Sequence, residues 1–332
     1  MSMNDIPVID ISRLDRPQTL RDLDRACRDW GFFQVVGHGV EAQRSVRLLE
    51  AMRAFFGRPL ETKQRISRTA QNPWGFYDRE LTKNVRDWKQ IYDYGPPAEA
   101  TSEPSAATGP QPQWPQGLPE FKAAVLDFYA ACERLAFRLL GAVSVNLGMP
   151  AEFLAAGFRP AHTSFLRLNY YPVCPAPERP AGCAVPRQGH LGINHHTDAG
   201  ALTLLLQDSQ PGLEVYRQGE WHLVEPRADA LVINIGDIVQ VWSNDRYQAS
   251  LHRVIASASA ERLSAPFFFN PAYATDYAPL PSTVDRRNPA RYRPINWGEF
   301  RAGRAAGDYA DCGEEIQISH YRIREGDHEC LT

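Results

Sequence analysis

Residues 164–171, 201–207, 212–215, 220–224, 230–235 and 262–269 form six short runs, apolar or alternating, punctuated by Gly, Pro, Asn and Asp. Runs this short can bury one or both faces in a sheet but cannot sustain helices, so this half of the chain has to be built from paired strands. Gln218-Gly219 suits the turn of a hairpin between two of them. The N-terminal part reads differently. After a strand signal at 6–10, Leu20, Leu23, Cys27 and Trp30 recur at helical spacing, and 31–36 reads as a strand closed by Gly37-His38-Gly39. Val46, Leu49, Met52 and Phe56 mark a second helix that ends before Gly57 and Pro59. Phe121, Val125, Phe128, Cys132, Leu135, Leu139 and Val143 trace one stripe of a long third helix. The expected class is mainly β with helices (α+β), a double-sheet jelly roll braced by N-terminal helices.

At 332 residues the chain has room for one large unit or two small ones. A linker would fall at 96–115, which is rich in Pro, Ala, Ser and Gly. The strands on both sides fit one architecture, however, so an exposed loop is expected there. The expected organisation is one catalytic unit over 1–332, with a helical and strand region at 1–120 and the jelly-roll core with its site at 160–275. A net charge of −3 with scattered basic residues offers no polybasic face to nucleic acid or anionic membrane. No apolar run is long enough to span a bilayer, and residues 1–5 lack a basic region leading into an apolar one. Cysteines 27, 132, 174, 183, 312 and 330 form no C-x-x-C pair and read as reduced thiols. A cytoplasmic protein acting on a small molecule is expected, with no nucleic acid, membrane or protein partner implied.

Three polar pairs carry the chemistry, each with members two residues apart: His196 and Asp198, Arg262 and Ser264, Asn169 and Tyr171. On extended backbone that spacing puts both side chains on one face. With His252, the first pair supplies two imidazoles and a carboxylate, the set that holds a mononuclear Fe(II) with one face open. Arg262 can grip a carboxylate through two parallel hydrogen bonds and Ser264 can add a third, as the far end of a dicarboxylate requires. Taken alone, each piece has an ordinary reading. Most His-x-Asp pairs are surface polar groups, and a lone arginine more often serves an ion pair. Two histidines and a carboxylate also suit zinc. Zinc would need a general base; no H-E-x-x-H pattern is present, leaving His195 or Glu214 to be proposed. Strand alternation points His195 away from the metal, and His38 reads as structural.

The segments 196–205, from His196-Thr197-Asp198 through Leu205, and Leu251-His252-Arg253-Val254 resemble the metal-binding segments of the isopenicillin N synthase-like Fe(II)/2-oxoglutarate dioxygenases. Arg262-Leu263-Ser264 resembles that family's R-x-S motif, and Leu168-Asn169-Tyr170-Tyr171-Pro172 its N-Y-Y-P strand. Ile6-Pro7-Val8-Ile9-Asp10 with Trp30-Gly31-Phe32-Phe33 is similar to its N-terminal region, and Trp242-Ser243-Asn244-Asp245 to a turn before the second histidine. The resemblance implies a distorted double-stranded β-helix. It implies Fe(II) on His196, Asp198 and His252, and 2-oxoglutarate on Arg262 and Ser264 with Asn169 and Tyr171 assisting. O2 is then consumed with formation of succinate and CO2, while a small molecule is hydroxylated, desaturated or cyclised; ascorbate would serve as an in vitro reductant.

Two other readings keep the same residues. One is an Fe(II) oxidase of this fold that needs no 2-oxoglutarate, of the oxidative cyclase type. The other is a metal-dependent small-molecule binding or sensing protein. Substrate identity is not legible. Candidates for the substrate pocket are Phe76, Tyr77, Arg86, Trp88 and the segment 267–270, with Phe268 and Asn270 foremost. Arg86 in the site would favour a carboxylate-bearing substrate.

Overall fold

The computed structural model describes residues 6–97, 110–309 and 316–323. Its largest sheet has eight strands, in the order Val8–Asp10, Phe32–Val36, Leu231–Ile235, Leu202–Gln207, Arg262–Phe269, Phe165–Tyr171, Gln90–Tyr94 and Gly75–Tyr77. A second sheet of four strands runs Glu220–Leu223, Leu213–Arg217, His252–Val254 and Ile193–His196. Strands from the N-terminal third thus form both edges of a sheet whose centre comes from the C-terminal half. The result is an α+β jelly roll.

Period-two alternation sorts the large sheet's two faces. On one face Leu204, Leu206, Ile233, Leu263, Ala265 and Phe267 join the main core, against the long helix Pro119–Asn146. All seven residues of the stripe expected on that helix are buried. On the other face Leu205, Val232 and Tyr171 meet Leu213, Val215 and Val254 of the small sheet in a second apolar cluster. The space between the sheets is therefore lined in part by apolar side chains, with the polar pairs and further charged groups entering among them. Gln218 and Gly219 adopt positive φ of 51° and 90° in the expected hairpin turn between Leu213–Arg217 and Glu220–Leu223.

One expectation shifts. The helix Ala42–Phe56 buries Leu48, Ala51, Met52, Phe55 and Phe56, while Val46 is 45% exposed. The reason is packing: Phe55 sits among Phe76, Tyr92 and Phe121, which turns the helix away from the row read from spacing. Within the loop expected at 96–115, residues 98–109 lie outside the described residues, as do Cys312 and Cys330. No helix among the described residues is long and apolar enough to cross a membrane.

Candidate active site

His196 ends the strand Ile193–His196, and its direct cross-strand partner is His252. Their ring centroids lie 4.3 Å apart. Asp198 follows in the loop rather than on the strand, so the expected extended geometry stops at His196. The turn nevertheless brings Asp198 Oδ1 to 3.6 Å from the Nε2 atom of each imidazole. His196 Nδ1 stands 2.8 Å from the Asn194 carbonyl and His252 Nδ1 3.0 Å from that of Ser250. Each Nδ1–H can donate there, leaving both Nε2 lone pairs turned toward Asp198. Burial and the neighbouring His252 push His196 down to about 3, so that imidazole is neutral at physiological pH, as a ligand must be. Asp198 Oδ2 accepts from Thr203 Oγ1 at 2.5 Å and Asn234 Nδ2 at 2.8 Å. Burial opposes its charge, but the imidazoles and these two donors outweigh that and hold the carboxyl below its usual range. One oxygen is thereby anchored and the other left to bind. The three side chains have the separation and donor chemistry of a metal site.

The loop carrying Asp198 is held by backbone. Asp237 N–H donates to the Asp198 carbonyl at 2.8 Å, Gly236 N–H to Ala201 at 2.9 Å and Ile238 N–H to Gly200 at 3.2 Å. That close approach needs a glycine: a Cβ on Gly236 would stand 2.1 Å from the Gly200 carbonyl oxygen. Gly236→Ala is expected to destabilise the fold by about 1–3 kcal/mol, because backbone must move to admit the methyl. It should also loosen Fe(II) binding by displacing Asp198. Urea midpoints and Fe(II) titration read the two effects, and an unchanged Fe(II) affinity would mean the loop tolerates the shift.

The other two polar pairs meet across the large sheet in register, Arg262 opposite Tyr171 and Ser264 opposite Asn169. Arg262 is 3% exposed. Its Nε donates to the Gln210 carbonyl at 3.2 Å and Nη2 to Gln207 Oε1 at 2.7 Å, while Nη1 is buried with no partner. An orphaned guanidinium nitrogen is costly and marks where an anionic oxygen belongs. Ser264 Oγ lies 3.4 Å from Asn169 Nδ2 and 3.5 Å from the Tyr171 hydroxyl, and Asn169 Oδ1 is likewise unpartnered.

All seven of these residues line one cavity of about 160 Å³ between the sheets. Phe268 and Asn270 line it too, Phe268 stacked on Phe165 with centroids 4.8 Å apart. The structure puts the remaining substrate candidates elsewhere. Phe76 is core, packed on Phe55. Tyr77 lies under Arg68, 3.8 Å from ring centroid to guanidinium carbon. Arg86 is exposed and donates to the Asp78 carbonyl at 3.1 Å. Trp88 donates to the Pro172 carbonyl at 3.1 Å and stacks on His190. Glu214, weighed above as a zinc-site base, is buried in an ion pair with Arg253 at 2.8 Å and is not part of the cavity wall. Sequence reasoning missed Glu80, Lys89, Arg167 and Arg301, all of which line the cavity. Arg167 had a visible signal, standing two residues before Asn169 on the same strand face.

The profile of the 2OG-Fe(II) oxygenase superfamily matches residues 162–271, the span that holds all seven residues. That of the non-haem dioxygenase in morphine synthesis N-terminal region matches 6–117. The oxoglutarate-dependent flavonoid 7-O-demethylase 1 of Ocimum basilicum is 32% identical to this chain, over 91% of it and 78% of the relative. The chain belongs to the 2OG-Fe(II) oxygenase superfamily. Flavanone 3-dioxygenase 2 of Oryza sativa subsp. japonica is similar to this oxygenase at 33% identity, over 89% and 82% of the two chains. A solved structure of JOX2 in complex with 2OG, Fe and JA superposes with a TM-score of 0.80 at 29% identity, covering 96% of the oxygenase and 89% of JOX2. The oxygenase is accordingly an oxidoreductase that uses Fe(II) and 2-oxoglutarate.

Proposed function

We propose that this oxygenase oxidises a small organic molecule, with hydroxylation as the main outcome and desaturation or ring closure as variants of the same chemistry. Fe(II) would be held by His196, Asp198 and His252, and 2-oxoglutarate by Arg262 and Ser264, with Asn169 and Tyr171 assisting. The observation that carries this reading is the unpartnered Arg262 Nη1, buried in the same cavity as the three ligand atoms. Fe(II) with 2-oxoglutarate supplies O2 activation, the co-substrate being decarboxylated to succinate and CO2 as the substrate is oxidised. The chain's own residues do the rest. Asn194, Ser250, Thr203 and Asn234 orient the ligands; Arg262 and Ser264 fix the far carboxylate; Phe32, Leu205 and Val254 keep the metal face apolar. A small-molecule substrate is supported by the cavity's size. Because strands from 8–94 complete the same sheet as the strands from 165–269, we read residues 1–332 as one catalytic unit. A cytoplasmic location accords with the free thiols of Cys27, Cys132, Cys174 and Cys183.

The anaerobic visible charge-transfer band of Fe(II) with chelated 2-oxoglutarate tests the reading. The parent protein is expected to form it. Arg262→Ala should weaken 2-oxoglutarate binding about ten- to a hundredfold, the worth of a charge-assisted hydrogen-bond pair. Iron binding without a band would point instead to an oxidase that takes electrons from its substrate, and an Arg262→Ala titration that matches the parent would remove Arg262 as the anchor of 2-oxoglutarate.

A further inference from the structure

Once the iron and 2-oxoglutarate groups are set aside, one cation of the cavity wall has neither a hydrogen-bond nor an ion-pair partner among the described residues. Lys89 lies 2.8 Å from Glu80 and 3.1 Å from Asp87, and Arg167 lies 2.8 Å from both Glu80 and Asp93. Arg304 donates to the Thr197 carbonyl at 2.9 Å and to Gln317 Oε1 at 2.8 Å. Arg301 is different. It stands on the helix Trp297–Tyr309, half-buried on the cavity wall, and its guanidinium carbon is 5.9 Å from the centroid of Phe165. Among the described residues no carboxylate pairs with it. Phe165 in turn stacks on Phe268, and Leu81, Pro266 and Trp297 join them in lining the cavity.

We propose that the substrate is an amphipathic carboxylic acid, its apolar or aromatic body against Phe165 and Phe268 and its carboxylate on Arg301. The inference rests on the Fe(II) and 2-oxoglutarate reading and names the substrate class of that site. Charge supports a carboxylate on the substrate. Fe(II), the Asp198 carboxylate, the 2-oxoglutarate dianion and Arg262 sum to zero, and Lys89 and Arg167 are matched by their own acids. Two arginines remain on the wall: Arg304, whose guanidinium is already engaged by the Thr197 carbonyl and Gln317, and Arg301, whose donors are left for a ligand in a partly desolvated place where a guanidinium binds a carboxylate through two parallel hydrogen bonds. An aromatic ring beneath the guanidinium holds its plane without consuming its donors.

The test uses the full chain with Fe(II) and 2-oxoglutarate. The anaerobic charge-transfer band is recorded first; its absence in the parent would bring down the underlying reading, and this inference with it. Phenylacetate, hydrocinnamate, cinnamate and octanoate are then titrated beside their primary amides, following the perturbation of the band and, in air, the acceleration of succinate formation. At least one acid is expected to bind about ten- to a hundredfold more tightly than its amide. Arg301→Met keeps length and apolar bulk but should abolish that preference, and Arg301→Lys should restore part of it. The proposal is overturned if the band forms and acids and amides bind alike, if no acid of the series binds, or if the preference survives in Arg301→Met.

Discussion

Asp198→Ala should lose Fe(II) and turnover together. The two imidazoles come from directly paired strand residues and would survive the change, but two neutral ligands neither complete the facial set nor offset the metal's charge. Loss of a group that merely orients a ligand costs about ten- to a hundredfold in metal affinity, so removing the ligand itself should exceed about a hundredfold. Thr203 and Asn234 give the comparison, because both donate to Asp198 Oδ2 without reaching the metal position. Thr203→Val should therefore weaken Fe(II) binding by the smaller factor and retain turnover at saturating Fe(II). Fe(II) titration and succinate formation read both variants. Coupled turnover in Asp198→Ala at the parent's Fe(II) affinity would remove this carboxylate from the site.

The polar pairs were legible because a strand's period of two puts i and i+2 on one face, and two of the three pairs do lie on strands. Their register was not legible. That Arg262 faces Tyr171 and Ser264 faces Asn169 depends on how two strands, nearly a hundred residues apart, align around a shared core. The third pair was found for a reason only half correct: His196 is on a strand, but Asp198 reaches the site through a loop pinned by backbone bonds near Gly236. The short strands Ile193–His196 and His252–Val254 gave no periodic signal, since three or four residues are less than a readable pattern.

Substrate-facing residues were the hardest to find, for a related reason. Phe76 and Tyr77 were picked as aromatics, yet an aromatic in a core strand and one on a cavity wall have the same sequence texture; Phe76 packs into the core and Phe165 faces the cavity. Arg86 has the same charge in the sequence as Arg301, yet Arg86 lies outside the cavity and Arg301, on a helix that spacing does not reveal, lines it. The charged cluster beside the cavity is invisible to any local reading. Arg68, Glu80, Asp87, Lys89, Asp93 and Arg167 converge only because the strands Gln90–Tyr94 and Phe165–Tyr171 pair, with Asp93 opposite Arg167.

That cluster should respond strongly to one substitution. Glu80 is the carboxylate common to its three cations: 2.8 Å from both Lys89 and Arg167, and 3.6 Å from Arg68, with its side chain only 8% exposed. Burial alone would raise its pKa, but Arg167, Lys89 and Arg68 outweigh burial and hold the carboxyl far below the usual range. Glu80→Gln keeps the shape and removes the charge, leaving three buried cations to two carboxylates. The expected cost at neutral pH is about 3–5 kcal/mol, that of breaking a buried pair by one partner. The pH dependence has a definite sign. In the unfolded chain Glu80 takes up a proton near its ordinary value of 4.5, whereas in the folded protein it resists protonation to much lower pH. Its stabilisation is therefore complete above about pH 4.5 and is lost as pH falls toward the depressed folded value, so the gap between parent and Glu80→Gln should narrow in acid. Urea midpoints at pH 7 and below the unfolded value measure it; a gap independent of pH would mean the substitution acts through shape rather than charge. The effect should also reach the metal. Asp87, 3.1 Å from Lys89, accepts the Asn194 backbone N–H at 3.1 Å, and the Asn194 carbonyl is the group against which His196 Nδ1 is set. A cluster loosened at Glu80 thus releases the strand end that aims His196, and Fe(II) affinity should fall with stability in the same variant.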